Sequence, residues 1–79
     1  MNMDLKEFTE KFANQFIDDD VKNVKETTAF RELGTWDSLT GMAIIAMIED
    51  DYGITIPVDD FLQLKTPTEV YEYVKNKKQ

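Results

Sequence analysis

The sequence contains no cysteine and no histidine, and it has only one serine, two prolines and three glycines. Without cysteine there is no disulfide and no thiolate metal ligand, and without histidine the commonest zinc ligand and general base are missing. No glycine-rich phosphate loop is present either. We therefore expect no metal site, and we expect the chain to have no catalytic activity of its own.

Positive charge is also scarce, because sixteen acidic residues face nine basic ones and give a formal charge of −7. Such a surface repels the phosphates of nucleic acids and favours partners with basic patches. The longest uninterrupted apolar run is Met42–Ile48, which is too short to cross a membrane. The first residues do not resemble a signal peptide. We expect a cytoplasmic protein that binds neither nucleic acid nor membranes.

The 79 residues are enough for one domain, over residues 1–79. Apolar residues spaced by three and four predict an amphipathic first helix over about residues 3–17, and they are Leu5, Phe8, Phe12 and Phe16. Asp18-Asp19-Asp20 follows. The triplet fits a solvated helix end or the start of a calcium loop. Because no glycine and glutamate follow at EF-hand spacing, we favour the helix end.

Residues 18–37 show no helical or strand period, so we expect a long first loop. Such a loop is unusual in a compact domain and is often functional. Apolar residues are nevertheless spread along it: Val21, Val24, Phe30, Leu33 and Trp36. We expect these side chains to hold the loop against the core.

A second helix is predicted over Leu39–Tyr52, with Asp37 or Ser38 as its N-cap and Gly53 as its C-cap. Its apolar surface is wider than one stripe. Such a helix is either central in a bundle or contacts partners along its exposed face.

The rest of the chain predicts a short helix and a final long one. After an extended link at residues 54–56, Pro57 is expected in the first turn of a short helix that runs to Leu62. Thr66, Pro67 and Glu69 form the pattern of a capping box at the start of the last helix. We expect Val70, Tyr73 and Val74 to face inward and Tyr71 to lie at the margin. The predicted fold class is all-α: a small four-helix bundle of three main helices and one short helix.

Ser38 is the only serine, and it stands where the loop meets the most apolar helix. Taken alone, a serine at this point is most simply a helix cap. The same position suits a phosphate on the hydroxyl, because free N–H groups and the positive end of the helix dipole face it.

Two segments carry a resemblance to a known family. Asp37-Ser38-Leu39, with Leu33-Gly34 upstream, resembles the Asp-Ser-Leu attachment motif of acyl carrier proteins. The segment 52–57, Tyr-Gly-Ile-Thr-Ile-Pro, is similar to the aromatic-x-Ile-x-Ile-Pro link that follows the second helix of the family. Phe61, Leu64, Thr66 and residues 70–74 also fall where the family places the core of its last two helices. The resemblance therefore covers nearly the whole chain.

The resemblance implies that a phosphopantetheinyl transferase attaches 4'-phosphopantetheine from coenzyme A to Ser38. The thiol of that arm would hold acyl groups as thioesters and carry them between acyl-loading, condensing or acyltransferase enzymes of fatty-acid, polyketide or related biosynthesis. Asp37 is implied to assist the transferase or its metal, and Leu39 completes the motif. We expect the carrier to be a monomer.

The resemblance also suggests surfaces for partners and cargo. Ile45, Ile48, Leu62 and Leu64 are placed at an acyl cleft between helices, although each residue also fits a plain core position. Contacts with partner enzymes are expected at a second set of residues: Trp36, Leu39, Met42, Glu49 and Asp50.

The chain departs from the family in the turn after Ser38. Members that serve fatty-acid synthesis usually carry acids there, whereas this chain has Thr40, Gly41 and Ala43, and Trp36 precedes the motif. We therefore expect a specialised carrier for a dedicated pathway. Two alternatives stay open: an unmodified helical protein-interaction module, and a D-alanyl or peptidyl carrier with different cargo.

Overall fold

The computed structural model describes residues 4–17 and 20–78. Within these ranges the chain forms α-helices and one 3₁₀ turn and contains no strand, which confirms the all-α prediction. The three long helices and the short helix near residue 60 are those predicted. The helices are α1 (Leu5–Ala13), α2 (Asp20–Asn23), α3 (Ser38–Tyr52), α4 (Val58–Phe61) and α5 (Pro67–Lys78), and the 3₁₀ turn is Phe30–Glu32.

Helix α1 begins where Asp4 caps it, since the Asp4 carboxylate accepts a hydrogen bond from the Lys6 amide at 2.9 Å. It ends at Ala13, so the prediction of a helix to residue 17 was wrong by four residues. The amide of Phe16 bonds to the Ala13 carbonyl, three residues back. This tighter bond turns the chain out of the helix, and the Phe16 ring still reaches the core, where it is buried.

The predicted long loop contains helix α2. Asp20 begins this helix, so it does not belong to the end of α1, and the other two aspartates of the triplet lie outside the described residues. One Asp20 oxygen accepts hydrogen bonds from the amide and hydroxyl of Thr35, and the other accepts one from Asn23. These bonds fasten α2 to the segment just ahead of Ser38. The described residues contain no acidic cluster that suits a metal ion.

The rest of the loop is held by the α4–α5 junction. The Phe30 amide bonds to the Lys65 carbonyl at 3.3 Å. The amide and hydroxyl of Thr68 both bond to the Glu26 carbonyl, at 3.1 and 2.8 Å. As the spacing predicted, the apolar residues of the loop pack on the core: Val24 and Phe30 are buried, and Val21, Leu33 and Trp36 are half-buried.

Helix α3 begins at Ser38, and its N-cap is Asp37. Gly53 is the predicted C-cap, with a left-handed φ of 71°, and its amide bonds to the Glu49 carbonyl. Lys78, in the last turn of α5, donates a hydrogen bond to the Tyr52 carbonyl at 2.8 Å. Both ends of this helix are therefore closed by specific contacts.

Helices α4 and α5 follow the predicted signals with two corrections. Pro57 stands just ahead of α4 as its N-cap and is not in its first turn. The Thr66 hydroxyl caps α5 by accepting from the Glu69 amide at 3.2 Å. On α5, Tyr71 is buried and Tyr73 is half-buried, the reverse of the prediction. Tyr71 lies one turn after the buried Pro67, on the face that packs inward.

Helix α1 packs against α2, α3 and α5. The apolar core residues with the lowest exposure come from the three long helices, from the first loop and from the link after α3: Phe8, Phe12, Phe30, Ile44, Ile48, Ile56, Val70 and Val74. None of the described helices is long and apolar enough to span a membrane.

Candidate functional site

Ser38 is the first residue of α3, and its side chain is exposed. Neither its hydroxyl nor its backbone N–H is hydrogen-bonded to any residue in 4–17 or 20–78. The interpretation of Ser38 as a helix cap is therefore wrong, because a cap would have to accept an amide hydrogen bond. Ser38 presents a free hydroxyl at the positive end of a fifteen-residue helix.

Asp37 is the N-cap of α3, a role for which the sequence left Asp37 and Ser38 as alternatives. Its Oδ1 accepts from the Thr40 amide at 2.8 Å and from the Thr40 hydroxyl at 3.0 Å. These two bonds, the one from the amide first, hold the pKa of the Asp37 carboxyl below its ordinary value. The carboxylate thus fixes the first turn of α3 and leaves the neighbouring serine free.

Trp36 lies between the loop and α3, with its indole half-buried. The ring centroid is 5.3 Å from that of Phe30, 6.0 Å from that of Phe16 and 6.5 Å from that of Phe61. On the α3 side it faces Gly41. A Cβ atom at Gly41 would lie only 3.0 Å from the indole Cη2, so the absence of a side chain there makes room for the ring.

Arg31 joins this aromatic cluster to α4. Its guanidinium donates hydrogen bonds to the carbonyls of Phe61, at 2.7 Å, and of Leu64. It also lies 4.8 Å from the ring centroid of Phe30, 5.0 Å from that of Phe61 and 5.5 Å from that of Trp36. Burial lowers the pKa of Arg31, and its buried Nε has no hydrogen-bond partner among the described residues. Arg31 therefore satisfies carbonyl groups at the end of α4, although burying part of its guanidinium costs hydration free energy.

An exposed apolar surface begins directly beside Ser38. Leu39 is 74% exposed and Met42 is 64% exposed, although both are large apolar side chains. Ala46, Glu49 and Asp50 continue the same exposed side of α3 at helical spacing. The predicted partner residues of α3 therefore share one face, whereas Trp36 is largely committed to the aromatic cluster.

The two predicted acidic contacts lie far from the serine along this face. Glu49 is eleven residues after Ser38, which corresponds to about 16 Å along the axis at about 1.5 Å per residue. Its Oε2 accepts a hydrogen bond from the Thr55 hydroxyl at 2.6 Å, and Asp50 is exposed beside it. A partner must cover three turns of α3 to contact both the serine and these acids.

The four predicted cleft residues do not share one environment. Ile48 is fully buried, while Ile45 and Leu64 are half-buried and pack on the core. Leu62 is 57% exposed instead. It lines an open depression of about 230 Å³ with Ala29, Arg31, Glu32 and Lys65. The structure therefore does not bring Leu62 into the interior with the other three.

Sequence reasoning missed two residues that shape the site, Arg31 and Gly41. Arg31 is the only arginine of the chain and stands between apolar loop residues, which is a usable signal for a half-buried guanidinium. Gly41 interrupts a helix that otherwise favours larger residues, and an isolated glycine at such a place indicates a close approach.

Comparisons with known proteins indicate a family for the chain. A family profile described as "Phosphopantetheine attachment site" matches residues 11–74, well over half of the chain. A relative named acyl carrier protein, from Thermosynechococcus vestitus, is 32% identical over 65 residues, which cover 82% of this chain and 79% of the relative. No solved structure matches the chain significantly.

Proposed function

The chain belongs to the acyl carrier protein family, and from this premise we propose that Ser38 is the residue that bears its covalently attached 4'-phosphopantetheine arm. Members of this family are carriers that work with biosynthetic enzymes and are generally not catalysts themselves. When attached, the arm supplies a terminal thiol that holds an acyl group as a thioester. The chain itself supplies the attachment residue and the surface around it.

The observation that carries the proposal is the division of roles between two neighbouring residues. Asp37 caps α3 through Thr40, so the Ser38 hydroxyl is exposed and makes no hydrogen bond within the described fold. A transferase can therefore reach the hydroxyl without breaking any contact. The unpaired Ser38 amide and the helix dipole suit the phosphate that the modification places there.

The residues around Ser38 support a role in recognising partners. Leu39 and Met42 are exposed apolar side chains within one turn of the serine, and such residues lose water favourably when a partner covers them. The transferase and the acyl-loading, condensing or acyltransferase enzymes are the proposed partners. We place the monomeric carrier in the cytoplasm as part of the same proposal.

The first turn of α3 supports a specialised carrier. Thr40 and Gly41 are buried, and Thr40 is hydrogen-bonded to Asp37. Neither position presents a charge to a basic partner, and the exposed acids of α3 begin only at Glu49 and continue with Asp50 and Asp51. A partner that contacts the first turns of α3 after the serine therefore meets the apolar side chains of Leu39 and Met42 and no acid, which favours a dedicated pathway over general fatty-acid synthesis.

Intact-mass measurement tests the attachment site. The purified chain is incubated with coenzyme A and a broad-specificity phosphopantetheinyl transferase, and we expect a gain of one phosphopantetheine that is absent in Ser38→Ala. Because Asp37 is the cap, Ser38→Ala should keep its unfolding free energy within about 0.5 kcal/mol of the parent chain. That result shows that the loss of modification does not come from unfolding.

Two results contradict the proposal. One is an unchanged mass with several different transferases, which would favour an unmodified interaction module. The other is a gain of the arm that persists in Ser38→Ala, which would place the attachment elsewhere.

A further inference from the structure

The contact between α3 and α4 lies one helical turn from Ser38, and it is built around a missing side chain. Gly41 faces α4 there, and a Cβ atom on it would be 3.5 Å from Cε2 of Phe61. The space that a larger residue would fill is taken by the Trp36 indole, whose Cη2 and Cζ2 would lie 3.0 and 3.3 Å from that Cβ. We call this contact of Trp36, Gly41 and Phe61 the seam.

The indole is held in the seam from several sides. The rings of Phe16, Phe30 and Phe61 surround it, with centroids 5.3 to 6.5 Å away. The Arg31 guanidinium lies 5.5 Å from its ring centroid and is itself bonded to the Phe61 carbonyl. A side chain packed in this way leaves no room for a second apolar group unless it moves.

We propose that Trp36 is a specificity-determining residue that fills the seam and keeps a carried apolar acyl chain outside the core. The inference rests on the proposed attachment of the arm to Ser38. An apolar chain on the arm gains free energy by entering a contact between helices, and the seam lies one helical turn from Ser38. Because the indole occupies it, the carrier presents its cargo to solvent and suits short or polar acyl groups, whose exposure costs little.

Thioester protection tests the role of Trp36. The holo carrier, with its arm verified by mass, is loaded with an octanoyl group and cleaved with hydroxylamine beside free octanoyl-pantetheine. We expect the carrier with Trp36 to be cleaved within about twofold of the free thioester. Trp36→Leu should be cleaved at least about tenfold more slowly, since several methylenes then find an apolar site. Trp36→Ala serves as a second variant.

Phe8→Leu is the matched control. Phe8 is also a buried aromatic residue, but its ring contacts Phe12, Tyr52 and Tyr71 rather than the seam. We expect Phe8→Leu to leave the octanoyl thioester unprotected. Three results would each overturn the proposal: strong protection of the thioester with Trp36 in place, no protection in folded Trp36 variants, or protection in Phe8→Leu equal to that in Trp36→Leu.

A second measurement separates this inference from the proposed function. The chain has no cysteine, so Ser38→Cys offers a unique thiol for a polarity-sensitive dye without any transferase. We expect water-like emission from this dye with Trp36 in place and a blue shift in the Trp36→Leu background. If Ser38 never accepts the arm, the proposed function is wrong, but the emission of the dye still shows whether an apolar group can enter the seam. Emission that is already blue-shifted with Trp36, or unchanged without it, refutes the inference.

Discussion

Arg31→Met removes the guanidinium that joins the loop to the end of α4 while keeping a flexible apolar side chain. Two hydrogen bonds to carbonyls of the chain are lost, together with the stacking on three aromatic rings. Hydrogen bonds of a charged donor contribute about 1.5–3 kcal/mol each, and a partly buried cation–π contact about 1 kcal/mol. The variant recovers part of this lost free energy, because methionine buries no charge and has no Nε that lacks a hydrogen-bond partner. We expect a net loss of about 2 kcal/mol. The Leu64 carbonyl loses the hydrogen bond from Arg31, whereas the Phe61 carbonyl keeps the one that it accepts from the Leu64 amide.

Urea unfolding followed by circular dichroism measures this loss. For a chain of this size, 2 kcal/mol corresponds to a fall in Tm of roughly 8–16 °C. Lys25→Met is the matched control, since Lys25 is an exposed cation of the same loop and should change stability by no more than about 0.5 kcal/mol. Hydrogen exchange should accelerate at the amides of Phe30 and Leu64 before it does so in α1.

Two results would refute this role of Arg31. One is an unfolding free energy of Arg31→Met equal to that of the control. The other is the expected loss of unfolding free energy with hydrogen exchange that accelerates evenly over the whole chain, because Arg31 would then have no local role at the end of α4.

Gly41→Ala should destabilise the fold by about 1 kcal/mol despite the better helix propensity of alanine, because its Cβ would press on the Trp36 indole. Gly34→Ala is the control, since nothing lies within 4 Å of a Cβ there, and equal stabilities in thermal unfolding would contradict this account. The lowered pKa of Asp37 predicts a pH dependence: its contribution to stability is complete above the unfolded pKa of about 4 and is lost as the pH falls through the lower folded value. Asp37→Asn retains a good cap without the charge, so its unfolding free energy should fall less steeply between about pH 5 and pH 2, and parallel curves would exclude Asp37 as a source.

Local signals predicted the long helices well because the residues that make them are neighbours in sequence. The start of α5 follows from Thr66 and Glu69, three residues apart, and the Glu69 carboxylate closes the turn by accepting from the Lys65 amide at 3.1 Å. The end of α3 follows from Gly53 in the same way. In both places the hydrogen-bonding partners lie within a few residues of each other.

Contacts between distant residues were beyond such reasoning. The carbonyls that Arg31 binds are 30 and 33 residues away, so no local pattern indicates them. The choice of cap between Asp37 and Ser38 was open as well, because both residue types serve equally at that position. The position of Leu62 depended on the course of a four-residue helix, which carries too little periodicity to define a face.

The position of Ser38 at the start of α3 has a consequence for the stability of a carrier modified there. Esterifying the proposed attachment residue breaks no hydrogen bond of the described fold, and it adds a negatively charged phosphate at the positive end of the helix. A charge of that sign at a helix N-terminus stabilises the helix, typically by about 0.3–1 kcal/mol. By thermodynamic linkage, the form with the arm would then unfold slightly less often than the bare form. Proteases and chaperones that recognise unfolded chains would therefore favour the bare form, whereas an enzyme that acts on the folded carrier has to contact the arm itself to distinguish the two.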